Sequence, residues 1–159
     1  MKITALEEYG LRCMLMFAKY SNGKPLTLPF ISDNESLSLP YAAKLLMILK
    51  KAGLVRAVRG RNGGYVLSRS AESIALKDVF EALGDSFFGQ HHCARYSGSE
   101  PCVHNDDCPV RSMWSSFDKY ISTILNNVTL ADLAEKKFDF GRIANKEIEK
   151  TSFNNEVIK

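Results

Sequence analysis

The stretch "LSLPYAAKLLMILKKAGLVRAVRGRNGGYVLS", residues 37–68, decides how this chain folds. Ser38 suits a helix cap, since its side-chain oxygen can accept from an orphan backbone N–H, and Pro40 is tolerated in a first turn. Leu45, Leu46, Ile48 and Leu49 predict an inward helical face, and Gly53 stands where a helix C-cap belongs. Then the period changes. Residues 55–59 and 65–67 alternate as strands do, and Arg61-Asn62-Gly63-Gly64 between them has the composition of a hairpin turn.

Working outward, residues 29–33 predict a short helix with Thr27 or Leu28 near its start, and residues 34–37 a tight turn. Two helices joined in this way form a helix-turn-helix, and a hairpin directly after it is a wing. The second helix is then the recognition helix, with Ser38, Tyr41 and Lys44 on its exposed N-terminal part. Arg59 and Arg61 sit near the wing tip, in reach of a phosphate backbone or minor groove.

Charge agrees with that placement. Between residues 38 and 70 stand Lys44, Lys50, Lys51, Arg56, Arg59, Arg61 and Arg69 with no Asp or Glu. This block carries +7, which leaves −4 for the rest of a chain whose net charge is +3. A basic block in an otherwise acidic protein points to a polyanion partner, here double-stranded DNA.

Before the block, Thr4-Ala5-Leu6-Glu7 is a capping-box pattern that opens a helix. Leu6, Tyr9, Cys13, Phe17 and Tyr20 make one apolar face. Leu11, Met14, Leu15 and Ala18 fall opposite, which leaves a narrow polar stripe with Glu8, Arg12 and Lys19. Such a helix is expected between its own domain and something else. Asn22-Gly23 ends it. After the wing, Leu76, Val79, Phe80 and Leu83 predict a short helix. Met113, Phe117, Tyr120, Ile121, Ile124, Leu125 and Val128 predict a long amphipathic one, and Thr129 a cap for a last short helix. From about Phe138 the chain turns polar and aperiodic, and a loose tail is expected.

At 159 residues the chain suits one domain with an appendage. The acids near the N-terminus argue against a secretory signal, and no run approaches the roughly 18 apolar residues of a membrane span. A cytoplasmic location with reduced thiols is the expectation. No phosphate loop, paired-acid motif or nucleophile elbow suggests an enzyme.

Between residues 91 and 114, "HHCARYSGSEPCVHNDDCPVRSMW" holds three of the four cysteines and all three histidines on a polar stretch. Cys93, Cys102 and Cys108 follow C-x8-C-x5-C. That spacing is wider than zinc sites with paired cysteines use, and Cys108-Pro109 echoes a ferredoxin-like ending. A Cys3His zinc site with His91, His92 or His104 and three unligated thiols both stay open. The histidines otherwise read as solvent-facing loop residues, and Trp114 as a helix-packing residue. Cys13, mid-stripe on the first helix, reads as a small core hydrophobe.

The residues "MKIT" and "EYGLR" at the start, the 37–68 stretch, and "DDCPVRSMW" with "LNNVTLADL" resemble the Rrf-type family of bacterial winged-helix transcription regulators, the IscR/NsrR-like iron–sulfur regulators. The resemblance implies a mainly α fold with a small β-hairpin wing and a long C-terminal dimerisation helix. It implies a homodimer that binds an operator of two half-sites, and an iron–sulfur cluster, 2Fe–2S or 4Fe–4S, held by Cys93, Cys102 and Cys108. Some relatives place a histidine after the third cysteine, where this chain has Arg111. Others use an acid of the partner's first helix, and Glu8 stands at that position. Glu8 lies about 130° from the centre of the core-facing stripe, free to point at a partner. The plainer reading of Glu8 is a surface pair with Arg12. An acid that reads the major groove in relatives is Ala43 here, and a turn glycine is Ser36. The expected organisation is a winged domain at 1–84, a cluster loop at 85–109, a dimerisation helix and short following helix at 110–137, and a flexible tail at 138–159. The expected function is a regulator, a repressor, sensing redox state, nitric oxide or iron supply. The alternatives are a metal-free thiol regulator, and a zinc or electron-transfer module that meets an acidic protein.

Overall fold

A computed structural model of the chain describes residues 3–20, 23–84, 104, 108–141 and 143. Helix α1 spans Ala5–Tyr20 and opens on the expected capping box. Thr4 N and Oγ1 each donate to Glu7 Oε2 at 2.7 Å, and Glu7 N donates to Thr4 Oγ1 at 3.2 Å. Cys13, Met14, Met16 and Phe17 are buried. Both apolar sides of α1 are packed within the chain. Tyr20 departs from the expected inward face. It is exposed at the helix end and meets Phe30 edge-on at 6.4 Å.

Helix α2 (Leu28–Asn34) is capped by Thr27, and α3 (Leu39–Lys51) by Ser38, whose Oγ accepts from Tyr41 N at 3.4 Å. Both helices end in one motif. Beyond α3, Gly53 N donates to Lys50 O and Leu54 N to Leu49 O, both at 3.0 Å, with Gly53 at φ +73°. Beyond α2, Ser36 N donates to Asp33 O at 3.3 Å and Leu37 N to Ser32 O at 2.9 Å. Ser36 takes the left-handed φ of +53° that a glycine would adopt without strain.

Strands β1 (Val55–Val58) and β2 (Gly64–Leu67) pair antiparallel, Val55 with Leu67 through Val58 with Gly64. The turn sits one residue earlier than its composition suggests: Gly63 N donates to Gly60 O at 2.9 Å, and Gly60 has φ +117°. Gly64 is a strand residue, needed for a different reason. A third segment crosses there, with Leu26 N to Tyr65 O at 2.9 Å and Tyr65 N to Leu26 O at 2.8 Å. A Cβ on Gly64 would lie 2.4 Å from Leu26 O.

After a 3-10 turn (Ala71–Ser73) come α4 (Leu76–Leu83), α5 (Pro109–Asn126) and α6 (Leu130–Glu135). Helix α1 packs against α3, α4, α6 and β2. Gly10 allows the close approach to α4, since a Cβ there would meet Leu83 Cδ2 at 2.3 Å. Leu76 N donates to Val128 O at 2.9 Å and Leu130 N to Ile74 O at 2.8 Å, which ties the entry of α6 to the entry of α4. Val128 and Leu130 are buried, so α6 packs in the core of the winged domain rather than with α5. Val128 lies past the end of α5. Phe140, Gly141 and Ile143 are helical within the stretch expected to be loose, and Phe138 meets Phe140 at 5.0 Å between ring centroids; residues 142 and 144–159 lie outside the described residues.

Candidate nucleic-acid interface and metal centre

The seven cations of the central block, Lys44, Lys50, Lys51, Arg56, Arg59, Arg61 and Arg69, are all exposed. Arg69 differs from the other six by its ion pair with Asp78 of α4. Arg59 and Arg61 lie on the wing turn, Arg61 directly after Gly60, as the hairpin reading expects.

On α3, burial of Ala42, Leu45, Leu46 and Leu49 sets the inward line. At about 100° per residue, Pro40, Lys44, Met47 and Lys51 point the other way. Ser38 is exposed at the N-terminus, and Lys44 is exposed. Tyr41 is half-buried, and its ring meets Tyr9 of α1 edge-on at 6.1 Å. It therefore leans toward α1, while Lys44 points away. The sequence pattern marks Arg56 only as a charge and does not single out Met47. The signal for Met47 is its place on the polar side of the helical pattern.

Arg12 ties α1 to the helix-turn-helix. Its Nε donates to Glu35 Oε2 at 2.6 Å, and its guanidinium lies 5.4 Å from the Tyr9 ring centroid. Glu35 holds the Arg12 pKa above its ordinary value through that hydrogen bond. The alternative reading of Glu8 as an ion pair with Arg12 is replaced by this longer-range pair, with Glu8 only a lesser charge acting on Arg12. Glu8 is exposed, and its carboxylate makes no hydrogen bond or ion pair among the described residues.

Cys108 is the N-cap of α5, and its Sγ accepts from Arg111 N at 3.4 Å. An anionic group bound at this end of the helix would meet the positive end of its dipole. Val110, Met113, Phe117 and Tyr120 of α5 are all exposed, at a spacing of three, four and three. No residue of α5 is buried. Trp114 is half-buried, 6.0 Å from the Phe117 ring. Cys93, Cys102, His91 and His92 lie outside the described residues. His104 is an exposed turn residue. Among the described residues no group of three or more His, Cys, Asp or Glu gathers as a metal site. Cys13 is fully buried, and burial pushes its thiol up to about 12, an inert core group. Among the described residues no helix is long and apolar enough to cross a membrane.

The family model described as an iron-dependent transcriptional regulator, Rrf2, matches residues 3–136. The HTH-type transcriptional regulator IscR of Yersinia enterocolitica is 36% identical over 86% of this chain and 81% of its own. The solved structure of T. potens IscR is 30% identical with a TM-score of 0.68, covering 87% of this chain and 89% of that one. That of CymR, the global cysteine regulator of B. subtilis, is 31% identical with a TM-score of 0.67, covering 87% and 99%. With a helix-turn-helix, a wing and six outward cations on one stretch, the chain is a DNA-binding transcriptional regulator and belongs to the Rrf2 family.

Proposed function

We propose that the protein acts as a homodimeric repressor on an operator of two half-sites, and that an iron–sulfur cluster sets how well it binds. Cys93, Cys102 and Cys108 are the proposed thiolate ligands, with Glu8 of the partner subunit as the fourth. When bound, the cluster supplies iron open to exchange with oxygen or nitric oxide. The donor set suits it: three thiols on a polar stretch, and a hard carboxylate that marks the most exchangeable iron. The exposed Glu8 carboxylate and the Cys108 thiol at the head of α5 support that assignment.

The observation that carries the reading is that Cys108 caps the helix that exposes an apolar line of Val110, Met113, Phe117 and Tyr120. A spacing of three and four residues is that of helices packed along a shared seam. What Cys108 holds therefore acts at the end of the helix that pairs the two subunits. From Glu8 the next residue, Tyr9, touches Tyr41 of the recognition helix, and Arg12 reaches Glu35 in the turn before it. Glu8 is thereby one residue from contacts that orient the DNA-reading elements.

Anaerobic purification with a visible spectrum and iron and sulfide analysis tests the cluster. Iron and acid-labile sulfide should be present, and Cys93→Ala, Cys102→Ala or Cys108→Ala should abolish uptake. Glu8→Ala should fold, keep some cluster, and show a shifted spectrum and an altered rate with nitric oxide. Protein free of sulfide under these conditions contradicts the cluster. The likeness to a global cysteine regulator favours a second reading, oxidation of the same three thiols without metal. In that case peroxide should change DNA affinity in metal-free protein.

A further inference from the structure

The outward line of the recognition helix is basic at its edges and apolar at its centre. Met47 is 64% exposed, more than any other large apolar side chain among the described residues. It stands between Lys44 and Lys51, both exposed, and beside Lys50. The buried residues of α3 already complete its inward face, so Met47 adds nothing to the core. No Asp or Glu occurs between residues 38 and 70. An acidic protein partner would explain the lysines but not an apolar centre set among them; an anionic lipid surface would take both, but the family is one of DNA-binding transcriptional regulators. A DNA major groove explains both: phosphates line its rims, and the thymine 5-methyl is the apolar group on its floor.

The neighbouring positions narrow the chemistry. Pro40, Ala43 and Met47 carry no side-chain donor, so on this face of the helix only Lys44 and Lys51 can donate hydrogen bonds to base edges. Lys44 is the outward donor nearest the helix start, and Lys51 lies at the far end. We propose that Met47, flanked by Ala43, is a specificity residue that reads a thymine by packing on its methyl group, while Lys44 supplies the polar contact beside it. This rests on α3 being the DNA-reading helix, and it adds the base class that helix selects.

The test uses the full chain. A duplex pool is enriched for binding, and each thymine of the enriched site is replaced singly by deoxyuridine, which removes only the methyl. At one thymine per half-site the replacement should weaken binding about fourfold, the effect of one buried methyl. Met47→Ala should bind the thymine duplex correspondingly less well and no longer distinguish uracil from thymine, with an unchanged salt slope. Met47→Leu should keep the discrimination. A wild-type chain indifferent to every replacement overturns the proposal and leaves the DNA-binding reading standing, as does a Met47→Ala chain that still discriminates. Failure to enrich any duplex overturns both.

Discussion

Ser36 and Lys136 hold left-handed backbone, at φ +53° and +57°, where side-chain-bearing residues are strained by about 1–2 kcal/mol. Each closes a helix: Leu37 N reaches back to Ser32 O, and Lys137 N to Asp132 O, both at 2.9 Å. Ser36→Gly should therefore raise stability by about 1 kcal/mol, seen as a higher urea midpoint at unchanged slope. An unchanged or lower midpoint contradicts the strain argument. Gly10 is the converse. Its missing Cβ makes room for Leu83, so Gly10→Ala should cost about 1–3 kcal/mol through overpacking of α1 on α4. Thermal or urea unfolding of the purified variant reads that loss, and wild-type stability would show that Leu83 moves aside freely. Gly53 was legible as a helix end because glycine advertises left-handed backbone; Ser36 and Lys136 use the same conformation without that signature.

Among the elements, the wing and α5 carry the separable parts of function. Arg59 and Arg61 are exposed on the turn, and in the proposed role they neutralise phosphates, which releases counterions and holds no base information. Arg59→Ala or Arg61→Ala should weaken binding alike across sequences. Each should also lower the slope of log affinity against log salt by about one for every phosphate left without its cation. A retained slope with altered base preference would move these residues from phosphate to base. Helix α5 exposes Val110, Met113, Phe117 and Tyr120. Phe117→Asp should shift the protein from dimer to monomer in sedimentation velocity, or leave it insoluble. Wild-type monomers at micromolar concentration would contradict the seam. Helix periods and caps made these elements legible, since each is a local pattern. The segment at Leu26 that pairs with Tyr65 was not, because one residue of bridge has no period. Nor was the docking of α6 beside α4, which depends on a backbone pairing between residues more than 50 apart in sequence.

At the scale of the whole molecule, α5 packs against α4 of the winged domain. Its far end returns through Val128 and Leu130 to the entry of α4, so the helix proposed to pair subunits is anchored to the body that carries α3. In the proposed dimer a change at Cys108 would alter the separation of two recognition helices, and half-sites about one DNA turn apart would register it. The sequence placed Glu8, Cys108 and α3 on separate elements. The link from Glu8 to α3 through Tyr9, Tyr41, Arg12 and Glu35 needed the fold, since it joins helices by side chains. The most direct measurement is the affinity of cluster-loaded and cluster-free protein, prepared without oxygen, for duplexes in which the spacing of the two half-sites is varied. The loaded protein should prefer one spacing, and the cluster-free protein should lose or shift that preference; identical affinities across all spacings for the two forms would contradict a cluster that sets the separation of the recognition helices.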